Sequence, residues 1–319
     1  AKNKAAMRER MRDQGVDRLW HAVVTNEAEI ARLSAIPFPC VLKPREGVGS
    51  QLVRLCGNGD TLVAHARQAW RMEAGRAMLI EEYIAGELYT LETLGDGTDI
   101  VVLGGFHVAL GAPPNFVEME GRWGNWLTPS QRAEVLRQIK AVGVGFGSCH
   151  TEFVLTESGP RLIEINYRTV GDHMEFMLEH TLDLALFEKI LRLHLGEPLG
   201  SIPLADRVAA IRYFPAARPG QIISAPESFL RSDDGLRVEY RALRSIGEQV
   251  TVTNSNKDYL GVLSVSAPDN AMLENALRDA SAALLCDIDP KASISRIETC
   301  FTVPSLGKTT PYTPLQPEP

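Results

Sequence analysis

Apolar positions recur along this chain with two different spacings, one typical of helices and one typical of strands. Met7 and Met11 lie four residues apart in the run 2–14, which predicts a helix that ends at Gly15. Apolar residues also recur every three to four positions over 60–74, so a second helix is predicted there. Further helices are predicted over 129–142, 173–180, 182–195 and 269–285.

Short apolar runs bounded by glycine, proline or polar residues fill most of the remaining sequence and predict strands. The turn sequence TESGP joins two of these runs, 150–156 and 161–166, so we expect them to pair as a hairpin. Two prolines exclude a strand from the segment 112–116. The other predicted strands are 37–43, 52–55, 78–84, 88–94, 100–110, 207–214, 236–243 and 261–265. Helices and strands together predict an α+β fold.

The composition is that of an ordinary globular protein and argues against several function classes. Of 319 residues, 45% are hydrophobic and 23% are charged, and the net charge of −7 argues against nucleic acid as the main partner. No apolar run approaches the roughly 20 residues of a membrane helix, so no membrane partner is expected. Five cysteines without CxxC spacing predict free thiols and a reducing, cytoplasmic compartment.

Carboxylate and amide side chains lie on both apolar strands of the predicted hairpin. Glu152 is on the first strand, while Glu164 and Asn166 are two residues apart on the second and therefore share one face. A short turn can bring Glu152 and Glu164 onto that same face. Mg²⁺ prefers such oxygen ligands and takes few of them from the protein. The pattern predicts a metal site or, alternatively, a sheet face on which these side chains meet water.

A lysine followed by a glycine-bearing loop is typical of phosphate binding. Lys43 closes an apolar strand, and the loop after it contains Gly47, Gly49 and Ser50. The ammonium group supplies a point charge, and the amides of such a loop can surround phosphate oxygens. The alternative is a surface lysine beside a hairpin turn, with its ammonium group in solvent.

The segment IEEYI, residues 80–84, is a candidate strand for binding a nucleotide base. Its backbone N–H and C=O groups can meet the edge of an adenine, while a carboxylate accepts a hydrogen bond from the adenine amino group. Glu87 follows the next turn, where it can hold a ribose hydroxyl. An exposed acidic edge strand is the alternative interpretation.

These features follow one order along the chain: a lysine in the first helix, the strand with Lys43, the glycine loop, the E-x-Y-I strand, and then E-x11-E-x-N-x-R. This order resembles the ATP-grasp superfamily of carboxylate–amine and carboxylate–thiol ligases, over residues 2–198. The resemblance implies an α+β ATP-grasp fold, in which two subdomains hold ATP between them. It also implies an ATP-dependent ligase whose cofactors are two Mg²⁺ ions, with Mn²⁺ as a possible substitute.

The resemblance assigns many of the candidate residues to the nucleotide. Lys4 matches a lysine that contacts phosphate from the first helix, and Lys43 matches the second nucleotide lysine. Residues 47–50 match the flexible loop that closes over the triphosphate. The resemblance assigns the adenine contacts to the Glu81 carboxylate and to the backbone of Glu82, Tyr83 and Ile84. It assigns the ribose contact to Glu87.

The resemblance assigns Glu152, Glu164 and Asn166 to the metal, and Arg168 to stabilising the acyl phosphate and the tetrahedral intermediate. Within the superfamily, the runs PPNFVEME and HTEFVLTESGPRLIEIN look most like L-amino-acid ligases and siderophore-type relatives. Many of those ligases carry a histidine after a glycine where this chain has Arg122, which leaves the substrate open. The substrate-side candidates are Glu118, Asp172 and His173, with helix capping as the alternative role of Asp172.

The implied reaction moves the γ-phosphoryl group of ATP to a small carboxylate and lets an amine attack the acyl phosphate, releasing ADP and phosphate. The alternatives are a biotin-carboxylase-like enzyme that uses bicarbonate and a non-catalytic ATP-binding fragment. The expected partners are small acid and amine substrates and, as in many such ligases, a second copy of the chain. Members of the superfamily usually begin with an α/β domain, so we expect that a segment before Ala1 was removed.

The chain is predicted to have five segments. After residue 200 short apolar runs alternate with polar turns, and after residue 303 prolines recur every few positions. The segments are an entry helix (1–18), a lid subdomain (19–78), a main sheet with the metal site (79–200), a C-terminal α+β domain (201–303) and a proline-rich tail (304–319).

Overall fold

A computed structural model describes residues 3–290 of the chain. Its first element is α1 (Lys4–Asp13), which begins where the Asn3 side chain accepts a hydrogen bond from an amide of the first turn. Met7 and Met11 are buried on one face of this helix, as their spacing predicts. The first predicted helix is therefore confirmed, and it packs against the interior through these two side chains.

A small antiparallel sheet follows α1. Its strands are β1 (His21–Val24), β2 (Cys40–Pro44), β3 (Arg54–Cys56) and β4 (Met78–Glu82). Within the described residues these four strands lie in the order β1-β4-β2-β3. The helices α2 (Glu27–Arg32) and α3 (Gly59–Met72) pack on this sheet around one apolar cluster. A capping box formed by Asn58 and Thr61 fixes the start of α3.

The main sheet is formed by later parts of the chain. The strands after residue 86 are β5 (Glu87–Asp96), β6 (Ile100–Leu110), β7 (Glu118–Gly124), β8 (Phe146–Thr156), β9 (Gly159–Asn166), β10 (Val208–Pro215), β11 (Gly220–Ser224), β12 (Phe229–Asp233), β13 (Leu236–Ala242), β14 (Gln249–Val250), β15 (Tyr259–Ala267) and β16 (Asp287–Asp289). Nine strands of the described region form one sheet in the order β12-β13-β15-β10-β7-β6-β5-β8-β9. The short strands β14, β11 and β16 form a separate sheet.

Helices bury the apolar side chains of the main sheet in separate clusters. These helices are α4 (Pro129–Ala141), α5 (Met174–Thr181), α6 (Leu186–His194) and α7 (Asn270–Ala282). One cluster joins α5 and α6 to Phe106 and Trp123, and another joins α1 and α4 to Phe153 and Ile165. Because Phe153 and Ile165 point into this second cluster, their sequence neighbours on β8 and β9 point to the opposite side of the sheet.

The predicted elements are present in the structure, and several short elements were not predicted. All the predicted helices and strands are present, β6 with the predicted ends and the others with shifted ends, and the α+β class is confirmed. The segment 112–116 contains a cis Pro113–Pro114 bond and forms no named strand, as predicted. The helix α2 and the strands β1, β7, β11, β12, β14 and β16 were not predicted. β1 has only four residues, and β7, with the sequence EMEGRWG, owes its strand structure to pairing with both β6 and β10.

The sheets do not divide at the predicted segment boundaries. β4 lies in the small sheet although the prediction gives residues 79–82 to the main sheet, and strands after residue 200 continue the main sheet through the β7–β10 pair. The proline-rich tail and Cys300 lie outside the described residues. The other four cysteines, all within residues 3–290, are unpaired as predicted. None of the helices in that region combines the length and apolar character needed to cross a membrane.

Gly105 on β6 is packed so closely against β5 that a Cβ atom there would overlap the Thr90 carbonyl oxygen. We therefore expect Gly105→Ala to lower the free energy of unfolding by about 1–3 kcal/mol, because overpacking would push the two strands apart. Gly57→Ala is the matched control, since a Cβ atom at Gly57 meets nothing within 4 Å. There we expect a change within about 0.5 kcal/mol. Urea unfolding followed by circular dichroism measures both, and equal stabilities would contradict the close approach.

Candidate active site

A cleft of about 550 Å³ lies between the small sheet and the β8–β9 hairpin, with the start of α1 at its side. All but two of the predicted site residues line this cleft, although they come from segments far apart in sequence. The predicted residues that line it are Lys4, Lys43, Gly47, Gly49, Ser50, Glu81, Glu82, Tyr83, Ile84, Glu118, Glu152, Glu164, Asn166, Arg168 and Asp172.

The three metal-site candidates share one face of the β8–β9 hairpin. Glu152 and Glu164 occupy directly paired positions, and Asn166 pairs with His150. Directly paired residues, and residues two apart on a strand, point to the same side of a sheet. Phe153 points to the buried cluster on the other side. The hairpin therefore turns two carboxylates and one amide toward the cleft, as the sequence pattern predicts.

His150 is a site residue for which the sequence predicts no role, although it begins the run HTEFVLTESGPRLIEIN. Its Nδ1 atom lies 2.8 Å from Glu92 Oε1, and its Nε2 atom lies 3.2 Å from Glu152 Oε1. Burial by itself would lower the pKa of His150, but the two carboxylates raise it well above its usual value. The His150 ring thus lies between the carboxylates of Glu92 and Glu152, where one positive charge offsets part of their repulsion and orients Glu152. Because Glu92 is 58 residues from His150, only strand pairing brings them together.

The glycine loop, residues 47–50, is held at two of its carbonyl groups. Lys4 Nζ donates to the Gly47 carbonyl at 3.0 Å and also lies 3.2 Å from Glu164 Oε1. The backbone amide of Asn256 donates to the Gly49 carbonyl at 3.1 Å. Lys4 therefore places positive charge between the loop and the hairpin, where the predicted phosphate and metal residues face each other.

Lys43 and Glu81 form a buried ion pair that Arg8 completes. Arg8 Nε lies 2.7 Å from Glu81 Oε1, while Lys43 pairs with the other carboxylate oxygen. Arg8 also donates to the carbonyls of Leu162 and Ile163, at 2.7 and 3.1 Å. Although burial opposes ionisation, Lys43 and Arg8 lower the pKa of Glu81 to about 2. Both oxygens of Glu81, the predicted adenine-side acid, are therefore engaged by cations.

The residues after β4 line the cleft, but two of their N–H groups are already used. The Glu82 amide donates to the Trp20 carbonyl at 3.0 Å, and the Tyr83 amide donates to the Pro39 carbonyl at 3.2 Å. A base bound at residues 82–84 would therefore have to use backbone groups other than the amides of Glu82 and Tyr83.

Glu87 and His173 are the two predicted residues that do not line the cleft. The Glu87 carboxylate accepts a hydrogen bond from the Tyr89 hydroxyl at 2.7 Å, whereas Leu88 lines the cleft. Because side chains alternate along β5, Glu87 and Leu88 cannot point to the same side. His173 lines an adjoining pocket of about 290 Å³, which shares Asp172 with the cleft.

Two substrate-side candidates are joined by a residue from a distant part of the chain. Asn256 Nδ2 lies 3.2 Å from Glu118 Oε1 and 3.1 Å from Asp172 Oδ2. Burial and the nearby carboxylates of Glu152 and Asp172 raise the pKa of Glu118 to about 7. Asp172 does not cap α5, since the N-cap position is His173 and no side-chain cap hydrogen bond forms there. The alternative capping role of Asp172 is therefore not observed.

Arg168 and Arg122 have different surroundings. Arg168 lies exposed at the rim of the cleft, where its guanidinium donates to the Thr169 carbonyl at 2.7 Å. Arg122 is not among the lining residues and forms ion pairs with Glu120 and Glu274. Arg168 is thus available to a substrate, while Arg122 is engaged elsewhere.

The donor set of the hairpin fits a hard divalent cation. It offers two carboxylates and an amide oxygen on one face, beside the lysines of the cleft. In the described part of the chain no group of three or more His, Cys, Asp or Glu side chains converges as a metal site. Mg²⁺ commonly takes one or two carboxylates from a protein and completes its shell with phosphate oxygens and water. Glu152, Glu164 and Asn166 would therefore hold the ion together with a nucleotide.

Comparison with known sequences gives a family and several relatives. The model of the ATP-grasp domain matches residues 1–172. The chain is 32% identical over 231 residues to protein y4rH of Sinorhizobium fredii, covering 69% of this chain and 47% of that protein. It is 32% identical over 191 residues to carnosine synthase 1 of Gallus gallus, covering 53% of this chain and 20% of that protein. It is 22% identical over 262 residues to dapdiamide A synthase of Enterobacter agglomerans, covering 75% and 61%. The chain thus spans less than two thirds of each relative.

Solved structures share the fold. The L-amino acid ligase from Bacillus licheniformis superposes with a TM-score of 0.72 at 19% identity, covering 90% of this chain and 72% of that chain. The biotin carboxylase domain of the Hydrogenobacter thermophilus 2-oxoglutarate carboxylase, solved with MgADP, superposes with a TM-score of 0.66 at 22% identity, covering 90% and 66%. At these identities the likeness concerns the fold alone.

The buried Arg8–Glu81–Lys43 ion pair predicts a stability that depends on pH. Because the pKa of Glu81 is lowered to about 2, its stabilising contribution is complete above its ordinary value of 4.5 and is lost as the pH falls from there toward 2. We expect Glu81→Gln to lower the free energy of unfolding near neutral pH by about 3–5 kcal/mol, since two buried cations lose their partner. The variant should also lose less stability than the natural chain between pH 4.5 and 2.

Urea unfolding across that pH range measures both effects. Glu27→Gln is the control, because the Glu27–Arg67 ion pair has similar geometry but is exposed to solvent. Its effect should be much smaller. Equal losses for the two variants would contradict the structural role assigned to Glu81.

Proposed function

This chain belongs to the ATP-grasp family, and we propose that it is an ATP-dependent ligase that joins a small carboxylic acid to an amine. The acid is activated as an acyl phosphate, and the products are an amide, ADP and phosphate. The observation that carries the proposal is the cleft in which Lys4 and Lys43 face the hairpin bearing Glu152, Glu164 and Asn166. Cations opposite oxygen ligands are what a magnesium-bound triphosphate requires.

In this proposal ATP binds between the small sheet and the hairpin. Lys4 and Lys43 offset the negative charge of the phosphates, and the glycine loop covers them with backbone amides. Bound Mg²⁺, as two ions that Mn²⁺ can replace, supplies Lewis-acid charge for phosphoryl transfer. Glu81 serves this site indirectly, because it holds the ammonium group of Lys43 in place.

The reaction has two steps. A carboxylate oxygen of the acid attacks the γ-phosphorus and ADP leaves. The neutral amine nitrogen, formed when the ammonium group loses a proton to solvent, then attacks the carbonyl carbon; the C–O bond to phosphate breaks, inorganic phosphate leaves, and the nitrogen releases a second proton to become the amide. The first step depends mainly on position and charge. In the second step Arg168, at the rim of the cleft, stabilises the negative charge that develops on the tetrahedral oxygen. Stabilisation of this kind is worth about 3–4 kcal/mol in other enzymes.

The amine enters through the adjoining pocket of about 290 Å³. Asp172 and Glu175 attract an ammonium group there, and the exposed Lys257 can pair with a free carboxylate at the other side. An amino acid carries both groups. The relatives named carnosine synthase and dapdiamide A synthase, and the structural likeness to an L-amino acid ligase, make amino acids the first amines to test. The product is then a dipeptide-like or siderophore-like amide.

Two other functions are distinguished by simple measurements. A biotin-carboxylase-like reaction is favoured by the structural neighbours of that class, and it would make ADP release depend on bicarbonate and free biotin. A non-catalytic nucleotide-binding role would give thermal stabilisation by MgATP without phosphate release.

A phosphate-release screen that crosses small acids with amines, with mass detection of the product, tests the ligase. We expect release to require ATP, Mg²⁺ and one acid–amine pair together, and to yield a product lighter by one water than the two substrates. Release with bicarbonate and biotin alone would overturn the proposal. Light scattering of the same protein measures whether it is a homodimer.

Glu164→Gln should abolish phosphate release while leaving the fold intact, because it removes one metal-binding charge from the cleft. We expect a loss of at least about 100-fold, which corresponds to the several kcal/mol that a bound ion contributes. Glu157→Gln is the matched control, since Glu157 is exposed in the turn of the same hairpin. Near-normal release by the Glu164 variant, with circular dichroism unchanged, would count against the metal site.

Arg168→Ala should lower turnover by about 100-fold or more but weaken ATP binding much less, since its guanidinium acts on the tetrahedral intermediate. Arg168→Lys should recover part of the activity, because it keeps the charge but loses the planar fork. Steady-state kinetics and calorimetry with a non-hydrolysable ATP analogue separate the two effects. Equal losses of binding and turnover would assign Arg168 a structural role.

A further inference from the structure

In the turn Thr253–Asp258, between β14 and β15, one carboxylate accepts hydrogen bonds from several backbone amides. Asp258 accepts hydrogen bonds from the backbone amides of Thr253, Asn254 and Ser255, at 2.7 to 3.3 Å. Its neighbours Ser255 and Asn256 are buried, as is Asp258 itself. The turn therefore presents Asn256 to the cleft in one fixed orientation.

Asn256 makes hydrogen bonds in two directions. Its Nδ2 group donates to both Glu118 and Asp172, as described above, and its Oδ1 atom accepts from the Glu118 backbone amide at 3.2 Å. Its own backbone amide donates to the Gly49 carbonyl at 3.1 Å. One buried residue thus contacts both the glycine loop and the carboxylates on the substrate side.

A second contact joins the same turn to the small sheet. The guanidinium of Arg54, buried on β3, donates to the Thr253 carbonyl at 3.2 Å. Because Arg54 lies just after the glycine loop and Thr253 just before Asn256, the two contacts lie side by side. The segment formed by the glycine loop and β3 therefore contacts the turn at two points, Gly49 and Arg54.

We propose that Asn256 is a positioning residue that fixes the glycine loop and the Glu118–Asp172 carboxylate pair in one arrangement. The loop over the phosphates and the side of the cleft that receives the amine are then set together. The inference deepens the proposed function and rests on it. Asn256 lies beyond residues 1–172, the part of the chain that the family model matches.

The chemistry of the position favours an amide. Glu118 and Asp172 are acids that repel each other when ionised, and one amide NH₂ group can donate to both without adding charge. An aspartate at position 256 would bring a third carboxylate and no donor. A serine would keep a polar side chain but could not reach both acids and the Glu118 amide together.

Hydrogen exchange of the glycine loop tests the inference. We expect Asn256→Asp and Asn256→Ser to speed exchange of the backbone amides in residues 46–53 by about tenfold or more. Each change removes the hydrogen bonds to Glu118 and Asp172 that hold residue 256 in place, and its backbone amide then no longer holds the Gly49 carbonyl. Exchange is followed by mass spectrometry without nucleotide and with Mg²⁺ and AMP-PNP. Asn254→Gly is the control, because Asn254 is exposed in the same turn and its positive φ of 55° suits glycine.

A rescue variant separates positioning from general stability. The double variant Asn256→Asp, Asp172→Asn swaps the amide and the acid between the two positions. It keeps one amide and two acids in the cluster and leaves the net charge unchanged. We expect it to return loop exchange to within about threefold of the natural chain, since the two sites are in direct contact and their effects are not additive. A purely structural role for Asn256 predicts that the double variant is at least as disturbed as the single one.

The outcomes are distinct. Unchanged loop exchange in both single variants overturns the inference, and so does a double variant that exchanges as fast as Asn256→Asp. Near-ultraviolet circular dichroism confirms that each variant is folded, and Asn256→Ser keeps the test decidable if Asn256→Asp does not fold. If AMP-PNP fails to bind the natural chain, the proposed function falls, while the comparison without nucleotide still decides the role of Asn256.

Discussion

The buried group of Arg8, Glu81 and Lys43, in which one carboxylate pairs with two cations, is the interaction on which the cleft depends. Arg8 belongs to α1, Glu81 and Lys43 belong to the small sheet, and Arg8 also donates to two carbonyls of β9. Removing three charges from water costs several kcal/mol per ion, so such a group is stable only when its geometry and hydrogen bonds are complete. Here they are complete only when helix, small sheet and hairpin meet in one arrangement.

That arrangement also places charged groups of both signs around the cleft. Lys4 and Lys43 lie on α1 and the small sheet, Glu118 and Glu152 lie on strands of the main sheet, and Asp172 lies before α5. Two residues keep these acids close together despite their mutual repulsion. His150 pairs with Glu152 from the core, and Asn256 donates to the other two acids from the turn before β15. In the proposed function, the nucleotide with its cation would meet the lysines and the hairpin acids, and a cationic amine would meet Asp172 and Glu175.

Local patterns determined which segments could carry the chemistry. A lysine at the end of a strand, glycines after it, and acids two apart on a hairpin are each readable from spacing, because strand and helix periods assign side chains to faces. The face of the hairpin with Glu152, Glu164 and Asn166 was predictable in this way. Glu87 shows the limit of the method. Glu87 and Leu88 face opposite sides of β5, and the sequence pattern does not show which of the two faces the cleft. In the structure Leu88 lines the cleft and Glu87 pairs with Tyr89.

The sequence by itself determined the fold class, the order of the motifs, and many of the polar residues that line the cleft, since these depend on period and spacing along short segments. Only the tertiary structure decided the partners of those residues. Arg8, His150 and Asn256 were not predicted as site residues, yet each contacts one that was, and Glu92 in turn pairs with His150. Their positions follow from the pairing of strands and the packing of α1 across long sequence separations. Contacts of that kind leave no periodic trace in the sequence.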